Sequence, residues 1–155
     1  MKTKQINLFK RLEEASKLPL GHYEKKKAEE DVIKEYFLCH KKEVEIARFF
    51  KKKRGWFDNK VQEAANFCGF LCEEIGSKKI KTLVINSDKV PLFSGGCYNT
   101  WTREIYFPDG YLPIYLLIHE TSHHIQHIER IEGSIHGEEF VEIEQMLFEI
   151  AKKYF

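Results

Sequence analysis

Residues 119 to 123 read His119-Glu120-Thr121-Ser122-His123, and this stretch restricts the chain more than any other. On an α-helix, positions four apart stand one turn apart on the same face, so two imidazoles can grip one cation. The glutamate between them reaches a water beside that cation. The flanks favour a helix. Asp109-Gly110 offers a cap and turn, Pro113 suits a first turn, and Ile114-Tyr115-Leu116-Leu117-Ile118 runs into the motif. With His119 at zero and about 100° per residue, His123 falls near 40°, His127 near 80° and Glu120 near 100°. Leu117, Ile118, Ile125 and Ile128 fall between about 160° and 260°, so the polar chemistry and the apolar anchor occupy opposite faces. Gly133 supplies a helix stop.

A zinc site needs a third protein ligand and an open fourth position. His127 continues the stripe but sits eight residues past His119, about 12 Å along the axis, whereas ligands of one zinc lie within about 4 Å of each other. A straight helix therefore keeps it from joining both other histidines. Glu132, Glu138, Glu139 and Glu142 are carboxylate alternatives. His136 is the better candidate, because it follows Gly133-Ser134, where the chain has room to swing back over the metal. It also opens a new helical pattern through Phe140, Ile143, Leu147, Ile150 and Tyr154.

The motif, then twelve residues, then His136-Gly137-Glu138-Glu139-Phe140, resembles the SprT-like metallopeptidase family, which includes the Spartan proteases. The likeness covers about residues 80 to 155. Gly95-Gly96-Cys97-Tyr98, a turn at Asn99-Thr100 and Arg103-Glu104-Ile105-Tyr106-Phe107 resemble the family's hairpin before the metal helix. The resemblance implies that His119, His123 and His136 bind Zn2+, that Glu120 is the general base, and that Phe140 packs behind the third ligand. It implies a catalytic core without a zinc-ribbon or partner-binding tail. Residues 1 to 76 have no counterpart in it.

The blander reading makes His124 and His127 a solvated polar face, with contact to a ligand histidine or to substrate as the alternative. His136 would then merely cap the last helix. The metal reading accounts for sorting, spacing and the His-Gly-x-x-Phe sequence together.

At 155 residues, with 43% hydrophobic and 14% aromatic content, the chain can bury one real core. No apolar run reaches membrane-spanning length, and MKTKQINLFKRLEE is charged throughout, so a cytoplasmic protein without membrane contact is expected. Cys39, Cys68, Cys72 and Cys97 are then reduced, and Cys68 and Cys72 read as small core residues rather than ligands. The overall charge of +1 hides an asymmetry. Residues 1–81 carry 20 basic against 13 acidic side chains (+7), and residues 82–155 carry 5 against 11 (−6). The run Lys51-Lys52-Lys53-Arg54, followed by Trp56, is the candidate nucleic-acid contact, through phosphate pairing and base stacking. Interleaved glutamates favour solvated helix faces instead.

The periodicities predict an α+β fold in the order αααβββαα, a single domain over 1–155. A helical layer (1–76) would precede a zincin-like zinc-binding core (77–155). Helices are expected over 5–17, 23–53 (one, or two with a break near His40) and from Asp58-Asn59 to Gly76. Strands are expected over Ile80–Asn86, Pro91–Tyr98 and Trp101–Phe107, the last two as a hairpin. The metal helix and the C-terminal helix follow. The expected activity is peptide hydrolysis by a metal-activated water, on protein or peptide substrates that include DNA-associated ones. Extended substrate would pair with the Phe93–Tyr98 arm. Tyr98, Arg103, Tyr106, Tyr111 and His124 are candidates for substrate or oxyanion contact. The rival is a nucleic-acid-binding or regulatory module with a structural or vestigial zinc site.

Overall fold

The computed structural model describes residues 11–14, 17, 21–51, 56–91 and 95–155, apart from the side chains of 22–25, 36 and 56. Of the helix expected over 5–17, only the helical residues 11–14 and the turn residue 17 fall within that range. Helix α1 runs unbroken through His22–Lys51, 30 residues, with no break at His40. The cause is local: no glycine or proline occurs between 22 and 51. Strand β1 (Trp56–Asp58) leads to α2 (Val61–Glu74), which closes at Gly76 in the left-handed conformation, φ +70°. Strands β2 (Thr82–Val84), β3 (Cys97–Asn99), β4 (Glu104–Tyr106) and β5 (Tyr111–Pro113) precede α3 (Ile114–Ile128) and α4 (Glu138–Tyr154).

The protein is mixed α and β, with two small sheets rather than the expected single three-stranded one. Strands β2, β4 and β3 form one sheet in that order, β2 parallel and β3 antiparallel to the central β4. The second sheet pairs β1 with β5, and sequence reasoning missed both strands. Three-residue strands are too short to show an alternating pattern, and Pro113 was expected in the first turn of the helix. Pro113 instead ends β5 and sits at the N-cap of α3 (φ −65°, ψ 138°). Gly110 is fixed by this pairing: a Cβ there would stand 1.8 Å from Asn59 Oδ1, and its carbonyl accepts the Asn59 N–H at 2.9 Å.

Two further boundaries move. The β3–β4 turn spans residues 100–103, not Asn99-Thr100 alone. Asn99 Oδ1 accepts the N–H groups of Trp101 and Thr102 at 2.9 and 3.0 Å, and Arg103 takes φ +58°. Trp101, expected to begin a strand, lies at the tip and is 95% exposed. Helix α3 stops at Ile128, before Gly133, because Arg130 adopts the left-handed conformation (φ +51°).

One apolar cluster joins both halves of the chain. Ile46 and Phe50 of α1 pack with Phe67 and Leu71 of α2, Ile105 of β4, Leu117 and Ile125 of α3, and Leu147 and Phe148 of α4. The described residues from Ile46 to Ile75 therefore share a core with residues 77–155. Edge-to-face rings reinforce it, with Phe50 at 5.9 Å from Phe148 and 5.6 Å from Phe155. Each such pair adds about 0.5–1.5 kcal/mol beyond burial. Cys68 and Cys72 are buried free thiols within this packing, as expected of core residues. No described helix is long and apolar enough to cross a membrane. A smaller cluster of Cys39, Phe140 and Val141 links α1 to α4.

Candidate metal centre

Helix α3 carries His119 and His123 one turn apart, and their Nε2 atoms approach to 3.1 Å. The chain then turns back. Gly133 takes φ +124°, a backbone conformation that L side chains rarely adopt, and this favours glycine there. Gln126 of α3 donates to the Ser134 carbonyl at 3.2 Å and ties the loop to the helix. His136 follows in the turn before α4, and its Nε2 stands 3.1 Å from that of His123. Phe140, fully buried, sets its ring 5.0, 4.5 and 5.1 Å from those of His119, His123 and His136. Two nitrogens bound to one tetrahedral zinc at 2.0–2.1 Å stand roughly 3.3 Å apart. The two Nε2 separations are close to that spacing.

The other side of His119 is unlike this one. Its Nδ1 lies 3.0 Å from Glu43 Oε1 and 3.3 Å from Glu144 Oε2. The Cys39 thiol reaches Glu43 Oε1 at 3.5 Å and Glu144 Oε1 at 3.6 Å. Ligand-type atoms of Cys39, His119 and His136 lie within 4.8 Å of one another, as do those of Cys39, Glu43, His119 and Glu144. These buried groups can hold a metal ion. Sequence reasoning missed Cys39, Glu43 and Glu144. A signal was present, because each glutamate interrupts an apolar stripe: Glu43 between Cys39 and Ile46, and Glu144 between Phe140 and Leu147. The carboxylates weighed as third ligands, Glu132, Glu138, Glu139 and Glu142, are all exposed.

The charges follow from this packing. Burial acts most strongly on His119 and would lower its pKa. Hydrogen bonds of its ring with Cys39 and Glu144, which accept, and the charges of Glu144 and Glu120 override it, and the imidazole rises to about 10. His123 is held well below its ordinary value by burial, then by positive charge on His119 and His136. Glu120 is pushed up by burial. The His119 charge and a hydrogen bond from the Tyr98 backbone N–H oppose that rise, and the Glu144 charge adds to it. That N–H belongs to β3, an edge strand of its sheet, so the edge and the Glu120 carboxylate are adjacent.

The remaining expected contacts divide. His124 is fully buried rather than solvated: its Nε2–H donates to the Lys78 carbonyl at 2.6 Å. Burial lowers its pKa, so the ring is neutral and Nδ1 accepts the Tyr98 hydroxyl at 3.0 Å. Tyr98 oxygen then accepts from Nδ1 of the exposed His127 at 3.1 Å. The Tyr98 hydroxyl and both His124 nitrogens are thus engaged within the protein rather than offered to substrate. Tyr106 is buried, with its hydroxyl 3.3 Å from Thr102 Oγ1. Arg103 is exposed in the hairpin turn. Tyr111 is exposed and interacts electrostatically with Tyr115, which in turn senses His119. Tyr115, one turn before His119 on α3, was not singled out from sequence. Lys51 is exposed at the end of α1; Lys52, Lys53, Arg54, the Trp56 side chain and Phe93 lie outside the described residues.

Compared with known proteins, the chain matches no family model, no curated protein and no solved structure.

Proposed function

We propose that this chain is a zinc-dependent metallopeptidase with a zincin-like core built from β2, β3, β4, α3 and α4. The observation that carries the reading is the pair of 3.1 Å Nε2 contacts, His119 to His123 and His123 to His136, with the His119 and His136 rings 5.2 Å apart and Glu120 buried on the same helix. Three neutral imidazoles suit zinc, and they would hold it through Nε2. When bound, the ion supplies a Lewis acid that lowers the pKa of water and polarises a carbonyl.

The protein's own part follows from its groups. Glu120 takes a proton from water and later returns it to the leaving amine, a role that a carboxyl pKa raised by burial assists. The Tyr98 backbone N–H beside that carboxylate favours its charged form. A substrate in extended form would run alongside β3, an edge strand of its sheet, and so bring its scissile bond beside Glu120. Phe140 excludes water from behind the three rings. The test is cleavage of unfolded protein by the zinc-loaded full chain. Loss of all cleavage in Glu120→Gln with zinc retained supports the reading, and full activity in that variant refutes it.

A further inference from the structure

We infer that Glu43 and Glu144 are positioning residues of the metal centre, and that α1 is thereby a working part of it. The inference rests on the reading that His119, His123 and His136 hold the cation. A ligating imidazole has one other ring nitrogen, and its partner fixes the tautomer and the rotation of the ring. For His119 that atom is Nδ1, and it meets two carboxylates at 3.0 and 3.3 Å. They come from helices whose glutamates stand 101 positions apart (43 and 144). Glu43 is 5% exposed and Glu144 0%. Burying a carboxylate costs several kcal/mol unless it is hydrogen-bonded to a partner. Here both lie on otherwise apolar helix faces and converge on one N–H.

Cys39 completes the arrangement. It lies one turn before Glu43 on α1, and its thiol stands within hydrogen-bond reach of both carboxylates, at 3.5 and 3.6 Å, where its one proton is shared between them. The electrostatic consequence is direct. Three neutral imidazoles leave the double charge of a bound divalent cation uncompensated inside the protein. Carboxylates one ring-width away offset that charge and strengthen Nε2 as a donor. The two helices that supply them meet at Cys39, Phe140 and Val141, directly beneath the site.

The test uses the full chain and zinc in competition with a chromogenic chelator, with Co2+ substitution to report ligand geometry by its d–d absorption. Glu43→Ala and Glu144→Ala are expected to weaken zinc roughly 10–100-fold and to shift the cobalt band. Glu43→Gln and Glu144→Gln, which keep an acceptor without the charge, should fall between these and the wild type. Glu142→Gln, on the exposed face of α4, should match the wild type. Circular dichroism checks folding; if either alanine variant is unfolded, the isosteric glutamine variant decides. Wild-type zinc affinity and an unshifted cobalt band in folded Glu43 and Glu144 variants would overturn the inference while leaving the metal reading intact. A wild-type chain that binds no cation overturns both. Two cations per chain, with one lost in Glu43→Gln, would make the carboxylates ligands and so overturn a positioning role.

Discussion

His119 and His123 present nitrogen to nitrogen on α3, whereas His124 and His127, a few positions along the same helix, meet oxygen. In the second pair the Lys78 carbonyl and the Tyr98 hydroxyl set each donor and acceptor, so the protein satisfies these rings by itself. In the first pair, with His136, successive Nε2 atoms stand 3.1 Å apart while Nδ1 of His119 is gripped from behind. Four histidines on one helix therefore separate by the chemistry opposite each ring, not by residue type. In the proposed reading the first pair accepts a cation. The second latches β3 to α3 through the Tyr98 hydroxyl.

Several substitutions press on this contrast. Glu120→Gln should lower peptidase activity by at least about 10²–10⁴-fold, the usual span for a general base, without loss of zinc. Equal activity in the two proteins would remove Glu120 from the chemistry. His136→Ala should weaken zinc by more than the roughly 100-fold expected for an outer partner, whereas His127→Ala should leave affinity unchanged. Equilibrium dialysis would show the distinction to be wrong if both variants bind alike.

The pH dependence follows from the proton on His119. Its folded value is raised from 6.5 to about 10. The stability this gives the metal-free fold is fully present below pH 6.5 and is lost as pH rises through about 10. Zinc must displace that proton, so its affinity should climb by up to about tenfold per pH unit between pH 6.5 and 9. Titration calorimetry in buffers of different ionisation enthalpy should count one proton released from His119, and a flat pH profile would contradict the assignment. The smallest effects belong to the oxygen-facing pair. Tyr98→Phe strands the buried Nδ1 of His124 and should cost about 1–3 kcal/mol in urea unfolding, with zinc retained.

The helix that carries His119 and His123 was legible because its register is local. A 3.6-residue period fixes which of His119, Glu120 and His123 share a face, and the Gly133-Ser134 break permits the return to His136. The grip on Nδ1 was not legible, because Cys39, Glu43 and Glu144 meet His119 only through tertiary packing. Glu43, set between Lys42 and Val44, looks like any surface charge until its place on the Cys39–Ile46–Phe50 stripe is noticed. The strands beside the site show the converse limit. Trp56–Asp58 and Tyr111–Pro113 are ordered by each other across the fold, with register Phe57↔Leu112, and neither is long enough to announce itself alone. The turn at Trp101 depended on one side chain, Asn99, accepting two backbone N–H groups.

The most direct measurement is a crystal structure of the zinc-soaked protein with anomalous data collected at the zinc edge. One peak about 2.0–2.1 Å from Nε2 of His119, His123 and His136, with Glu43 and Glu144 still on Nδ1, is the expected result. A peak among Cys39, Glu43 and Glu144 with His123 uninvolved, or no peak at all, would contradict the account.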